Sequence, residues 1–253
     1  MIGLPPAPHT AIVCGRVGEE EPMTRFLARC VFAAWWLAAV GLVASCGSGA
    51  EKAEEYLKKG NALVAEGKHE AAIAEFKKAA ELNKDSVEAL ILIGDAYRTL
   101  KKYDEALAAY SQAKKAVRSS AKPYLASARL QMETGHVDSA VADLDQVTEL
   151  DPGNLEGMLL QGKVSMMPRA LPGGGTGVPD VSLERARLNL ETVVQKTPDN
   201  VEARYWLARL YEKLGKKDEA FAAWSKVREL AGNKPEHAEI APEIAEALER
   251  LKR

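Results

Sequence analysis

From residue 53 to residue 234 the apolar positions recur with a period of 34 residues. The clearest copy runs from Val87 to Ser120. Its fourth, seventh, eleventh and twenty-fourth places hold large apolar side chains (Leu90, Ile93, Tyr97, Tyr110), and its eighth and twentieth hold small ones (Gly94, Ala106). Places 4, 7, 8 and 11 share one face of a first helix, and places 20, 24 and 27 share one face of a second. A polar turn, Leu100 to Asp104, separates them. Each unit is therefore a helical hairpin whose small residues let its two helices approach closely. A lone hairpin leaves an apolar face bare, so copies must stack.

Further copies span 53–86, 121–154, 155–200 and 201–234. The first carries Tyr56, Gly60, Leu63, Gly67, Ala72, Phe76 and Ala79 at the signature places, and the third Tyr124, Ala128, Gly135, Ala140, Leu144 and Pro152. The fourth has Gly162, Ala186, Leu190, Val193 and Pro198, and the fifth Leu207, Ala208, Tyr211, Gly215, Ala220 and Trp224. With these residues the chain resembles the tetratricopeptide repeat over most of its length. The resemblance implies an all-α, right-handed superhelical solenoid of about five hairpins. Departures at place seven (Lys59, Ser127, Gln161), place eleven (Gln131, Ser165) and place four (Arg204) disturb local packing rather than the fold.

Lys58 and Lys59 put charge on the first helix, as suits an end repeat without a neighbour. After the fifth copy, Ile240, Ile244, Leu248 and Leu251 fall at helical spacing opposite Glu243, Glu246, Glu249 and Arg250. This amphipathic segment, 235–253, reads as a capping helix sealing the array, with Pro242 either at its first turn or as a kink. A partner-binding helix is the alternative.

The fourth copy is longer than the others because residues 168–182, PRALPGGGTGVPDVS, intervene between its helices. Its glycine run lacks the lysine, the hydroxyl residue and the preceding strand of a phosphate loop. It reads as a flexible surface insertion and a candidate partner contact.

Composition narrows the function classes. The chain has 253 residues, with 34 Lys and Arg against 36 Asp and Glu, hence a net charge of −2. No basic excess points to nucleic acid. Enzyme chemistry needs convergent groups, and the sequence offers no Ser/His/Asp arrangement, cysteine nucleophile or paired acids in an evident cleft. His69 and His136 fall in turns and His237 in the tail, all read as surface residues outside any metal-ligand spacing. Neither a metal, a cofactor nor a small-molecule substrate is expected.

The N-terminus has a different character. All three cysteines, Cys14, Cys30 and Cys46, precede the repeats. Arg25 and Arg29 are followed by fourteen uncharged residues, Val31–Ala44, then Val43-Ala44-Ser45-Cys46 and Gly47. A basic start, an apolar core of this length and small residues at its end describe a secretory signal over 23–45. The run is short of the roughly 17–25 residues of a membrane-spanning helix. The final four residues are similar to a bacterial lipobox, which implies cleavage before Cys46 and a covalent lipid on it as the membrane anchor. The absence of aspartate after Cys46 implies, in a Gram-negative cell, the outer membrane facing the periplasm. Residues 1–22 are then expected to be a misassigned start preceding Met23, and 46–52 a short tether.

The resemblance implies that the first helices line a concave surface receiving peptide segments or helices of protein partners. By register its candidate contacts are Asn61, Asp95, Arg98, Arg129, Met132, Lys163, Met166, Tyr205 and Arg209. The central cations Arg98, Arg129 and Lys163 imply a preference for mixed apolar and acidic segments, with Met132 and Met166 as adaptable contacts, and Tyr205 as an exposed one. The carboxylate clamp of chaperone-associated members is incomplete, since Asn61 lacks its companions. Two readings of function follow. One is a non-catalytic adaptor supporting an export, pilus or surface-polysaccharide system of the cell envelope. The other is a regulatory subunit binding a periplasmic enzyme.

Overall fold

The computed structural model describes residues 49–83, 86–170, 175–232 and 234–252. Residues 1–22, expected to be a misassigned start, the expected signal 23–45 and Cys46 lie outside them. Among its described residues the unit Ala50–Arg253 is all-α apart from one two-residue ladder. Its helices in chain order are α1 (residues 49–65), α2 (His69–Leu82), α3 (Val87–Thr99), α4 (Tyr103–Ala116), α5 (Lys122–Glu133), α6 (Val137–Leu150), α7 (Leu155–Ser165), α8 (Asp180–Lys196), α9 (Val201–Lys213), α10 (Lys217–Ala231) and α11 (Ala241–Leu251). Residues 49–52, assigned to a tether from the sequence, are already helical. No helix of the described residues is long and apolar enough to cross a membrane.

Local sequence sets these boundaries. The last residue of three repeats caps the helix that follows: Ser86 Oγ accepts from the Ala89 amide, Asn154 Oδ1 from Gly157 and Asn200 Oδ1 from Ala203. Each such cap contributes about 1 kcal/mol. Gly67, Gly135 and Gly215 close the odd-numbered helices at φ near 70–78° (74°, 78° and 70°), a left-handed turn that glycine adopts without strain. In the second repeat Lys101 takes the same place at φ 58°.

Within each hairpin the side chain at place 24 packs against the small residue at place 8. Phe76, Tyr110 and Trp224 are fully buried in this way, as are Leu144 and Leu190. Gly60 faces Phe76, Gly94 faces Tyr110 and Gly162 faces Leu190, with no room for a Cβ in any of the three. The backbones of successive odd-numbered helices α3, α5, α7 and α9 approach one another more closely than those of successive even-numbered helices among the described residues. The odd row is therefore the inner face of the array and the even row the outer face.

Two of the irregular places are built into polar contacts between helices, whereas Gln131 keeps a buried side-chain oxygen without a partner. Ser127 and Gln161 are both buried. Lys114 Nζ of α4 donates to Ser127 Oγ at 2.9 Å and to Asp143 of α6 at 2.7 and 2.6 Å. Gln161 of α7 donates to Asp145 of α6 at 2.9 Å and accepts from Asn189 of α8 at 2.9 Å. Each polar side chain thus ties two outer helices together through an inner one. An apolar residue at 161 would break the bonds to both Asp145 and Asn189.

The described residues of the insertion on either side of 171–174 are structured. Arg169–Ala170 pairs antiparallel with Thr176–Gly177, Arg169 donates to the buried Ser182 Oγ at 2.6 Å, and α8 starts at Asp180 rather than near Leu183. Pro242 sits in the first turn of α11, which settles it as a helix start rather than a kink. Ile244, Ala247 and Leu248 of this helix close over Ala208, Trp224, Val227 and Ala231, so 241–251 seals the end of the array.

Candidate functional site

The inner face carries the sequence-selected residues, and the structure separates those that are available from those already engaged. At its centre a hollow of about 470 Å³ is floored by Leu159, Leu160, Met132 and Met167. Arg98, Arg129 and Lys163 stand at its rim, each paired with a glutamate of the following repeat. Arg98 Nε donates to Glu133 at 2.8 Å, Arg129 pairs with Glu156, and Lys163 Nζ lies 2.6 Å from Glu202. Arg129 and Lys163 both occupy place nine, and Glu156 and Glu202 both occupy place two of the next repeat, so one rule of spacing generates two rungs. The rim holds three cations and three acids. The inner face is therefore a neutral ladder at this point, which corrects the expectation of a basic centre whose cations favour mixed apolar and acidic segments.

Further along, Arg209 and Lys163 both lie over the Trp206 ring, at 5.2 and 5.4 Å from its centroid. Trp206 was not selected from the sequence, because it sits one place beyond the groove-facing register. Tyr205 is not a free contact. Its hydroxyl donates to Glu243 of the capping helix at 2.6 Å, Arg209 donates to it at 3.3 Å, and its ring stands edge-on to Trp206 and Trp224. Burial and the Glu243 carboxylate raise its pKa. The capping helix has claimed this phenol, a pairing invisible while the tail is read only as a lid.

Asp95 is also engaged, accepting from the buried Tyr110 hydroxyl at 2.7 Å across its own hairpin. Met166 packs against the core shared by α7, α8 and α9, and its neighbour Met167 lines the hollow instead. Helix α7 ends at Ser165, so the register used to place Met166 no longer holds at that residue. Asn61 is exposed on α1, away from this hollow. His136 is exposed, with Nδ1 2.8 Å from Thr134 Oγ1, while His69 differs from expectation in having a buried Nδ1 without a partner. The described residues contain no cluster of three or more potential metal ligands.

Models of the tetratricopeptide repeat match residues 57–121, 121–154 and 182–241, together well over half of the chain. The chain belongs to the tetratricopeptide-repeat family. Among solved structures, YrrB, described as a tetratricopeptide-repeat protein with an unusual peptide-binding site, aligns with TM-score 0.56 at 19% identity, covering 78% of this chain and 91% of that one. PilF of Pseudomonas aeruginosa aligns with TM-score 0.64 at 16% identity, covering 80% and 86%. MamA of Desulfovibrio magneticus RS-1 aligns with TM-score 0.59 at 19% identity, covering 73% and 97%. At these identities the likeness is one of fold. No curated protein matches the chain.

Proposed function

We propose that this tetratricopeptide-repeat protein is a non-catalytic scaffold whose inner face holds a segment of a partner protein, and that lipid on Cys46 anchors it in a bacterial cell envelope. The observation carrying the first part is the hollow over α5 and α7, with an apolar floor and a rim of ion pairs. Arg129 and Glu156 are each nearly half exposed (44% and 45%), and Arg98 and Glu133 similarly so (36% and 42%). Exposed pairs of this kind are worth about 0–1 kcal/mol, so a ligand that offers its own charges can open them at little cost. The segment favoured is apolar at its centre, seated on Met132, Leu159 and Met167, and carries both signs of charge beside it. Flexible methionines suit such a site because they repack around different anchors. A peptide-binding site on the similarly folded YrrB supports this use of the fold.

The anchor rests on the sequence of residues 23–46, and the envelope role of supporting an export, pilus or surface-polysaccharide system rests on the anchor. Incorporation of a photo-crosslinking amino acid at Met132 tests the first part: crosslinks to one protein, lost when Leu159→Arg blocks the hollow, are expected, and an unchanged crosslinking pattern refutes it. Palmitate labelling of wild type and Cys46→Ala tests the second. Label lost in the variant is expected, and an unlabelled wild type refutes the anchor while leaving the groove intact.

A further inference from the structure

The outer face presents four equivalent gaps between successive even-numbered helices, each floored by an odd-numbered one. Two are crossed by polar bridges from wall to wall, Lys114 to Asp143 over α5 and Arg185 to Asp145 over α7, while between α8 and α10 the floor residue Tyr211 reaches one wall only, at Glu191. The gap between α2 and α4 likewise has no wall-to-wall bridge among the described residues, Lys77 of α2 reaching only the floor at Tyr97. It forms a hollow of about 790 Å³ floored by Leu90, Ile93 and Tyr97 of α3, with Ala108 and Ala109 on one wall.

The charges around this hollow are ordered. Lys77 lies at the Tyr97 end, its Nζ 3.2 Å from the phenol oxygen, and Glu105 faces it in the first turn of α4. Glu81 and Lys115 flank the other end, near Leu90. Each wall therefore carries both signs, in opposite order, and the hollow is neutral as a whole. Both walls are helices whose backbone groups are already paired. An extended segment laid here would find no backbone partners, whereas a helix brings its own. Glu105 and Lys115 are ten residues apart on α4, about 15 Å at 1.5 Å per residue, which matches roughly three turns of an occupant.

We propose that this outer hollow is a second docking surface, independent of the inner groove, for an amphipathic helix of a partner protein. The occupant lays an apolar stripe on Leu90, Ile93 and Tyr97. On its α4 side it carries a cation opposite Glu105 and, ten residues away, an anion opposite Lys115.

Two stapled twelve-residue peptides provide the probe. Both carry the leucine stripe, one with Lys and Glu on the α4-facing flank in the matched order and the other with the two exchanged. They are titrated against the whole chain by calorimetry and methyl NMR. The matched peptide is expected to bind about five-fold tighter, as two exposed ion pairs allow, and to shift the methyls of Leu90 and Ile93. In Glu105→Lys/Lys115→Glu the preference inverts. Ala108→Arg, an exposed position on the wall, removes binding of both, with circular dichroism confirming that each variant folds. Equal affinity of the two peptides, absence of binding, or shifts confined to Met132 and Met167 overturns the proposal. Self-association of the chain that Ala108→Arg abolishes also overturns it, by making a second copy the occupant.

Discussion

Gly94→Ala puts the packing logic of the repeat to a quantitative test. A Cβ at Gly94 would overlap the Tyr110 ring, reaching 2.6 Å from Cδ1 and 2.8 Å from Cζ. The ring cannot simply swing away. Tyr110 is fully buried, and its hydroxyl is held by Asp95, the residue next to Gly94 on α3. Overpacking of this kind costs about 1–3 kcal/mol. Pulling the phenol off its carboxylate removes part of a hydrogen bond to a charged group, worth about 1.5–3 kcal/mol. Against both stands the better helix propensity of alanine, about 0.8–1 kcal/mol. The balance is a loss of about 2–3 kcal/mol, which for a chain of this size lowers Tm by roughly 4–12 °C.

The protein carries its own control, because the third repeat pairs Ala128 with Leu144 at the same two places. Gly94→Ala/Tyr110→Leu recreates that pair, so the two substitutions should couple favourably when a double-mutant cycle is measured by urea denaturation. Hydrogen exchange should locate the damage of the single variant in α3, α4 and their neighbours, since repeats contact only the adjacent units. A Gly94→Ala variant more stable than wild type, as propensity alone dictates, refutes the steric argument. Simple additivity in the cycle does the same.

Three other perturbations follow from individual contacts. Burial, with the hydrogen bond to Asp95, raises the pKa of Tyr110, and burial, with Glu191, pushes Tyr211 up to about 12. An unfolded tyrosine ionises near pH 10. Both groups therefore contribute fully below about pH 10 and lose that contribution as pH rises above it, Tyr211 through 10 to about 12, because the unfolded chain there binds fewer protons. The unfolding free energy of Tyr110→Phe should fall less steeply above pH 10 than that of wild type. Lys101→Gly relieves the left-handed strain that glycine avoids at the same place in other repeats, and should raise stability by about 1 kcal/mol in a urea titration. Lys114→Met strands Asp143, whose side chain is only 13% exposed. It should cost about 2–3 kcal/mol, and Lys114→Met/Asp143→Leu should recover most of that.

The parts of this structure legible in the sequence are those set within one hairpin. Gly94 with Tyr110, Ala208 with Trp224 and the glycine turns at place fifteen recur at fixed separations along the chain, so a periodic pattern reveals them. Contacts between repeats obey a different arithmetic. Arg129 and Glu156 are 27 residues apart in sequence and belong to different hairpins, and Lys163 reaches Glu202 across an insertion. Seen one repeat at a time, place nine is a cation aimed at solvent. Only the approach of successive inner helices brings place two of the next repeat beside it. The same limitation made Tyr205 look exposed, since the helix carrying Glu243 has no repeat register from which to predict its docking.

That difference bears on how the inner face selects a partner. A column of unpaired cations would attract any acidic segment, strongly at low salt and weakly at physiological salt. A ladder of exposed pairs attracts none at long range, because each cation is cancelled within a few ångströms. Selection must then come at close range, from a segment whose apolar side chains fit over Met132, Leu159 and Met167 and whose charges replace the glutamates one for one. Such a groove should bind with a shallow dependence on ionic strength. Glu156→Gln, which releases Arg129 from its partner, should steepen that dependence and favour acidic segments that the wild-type protein ignores. An identical salt dependence in wild type and Glu156→Gln, measured by calorimetry on the crosslinked partner segment, would mean that the ladder plays no part in recognition.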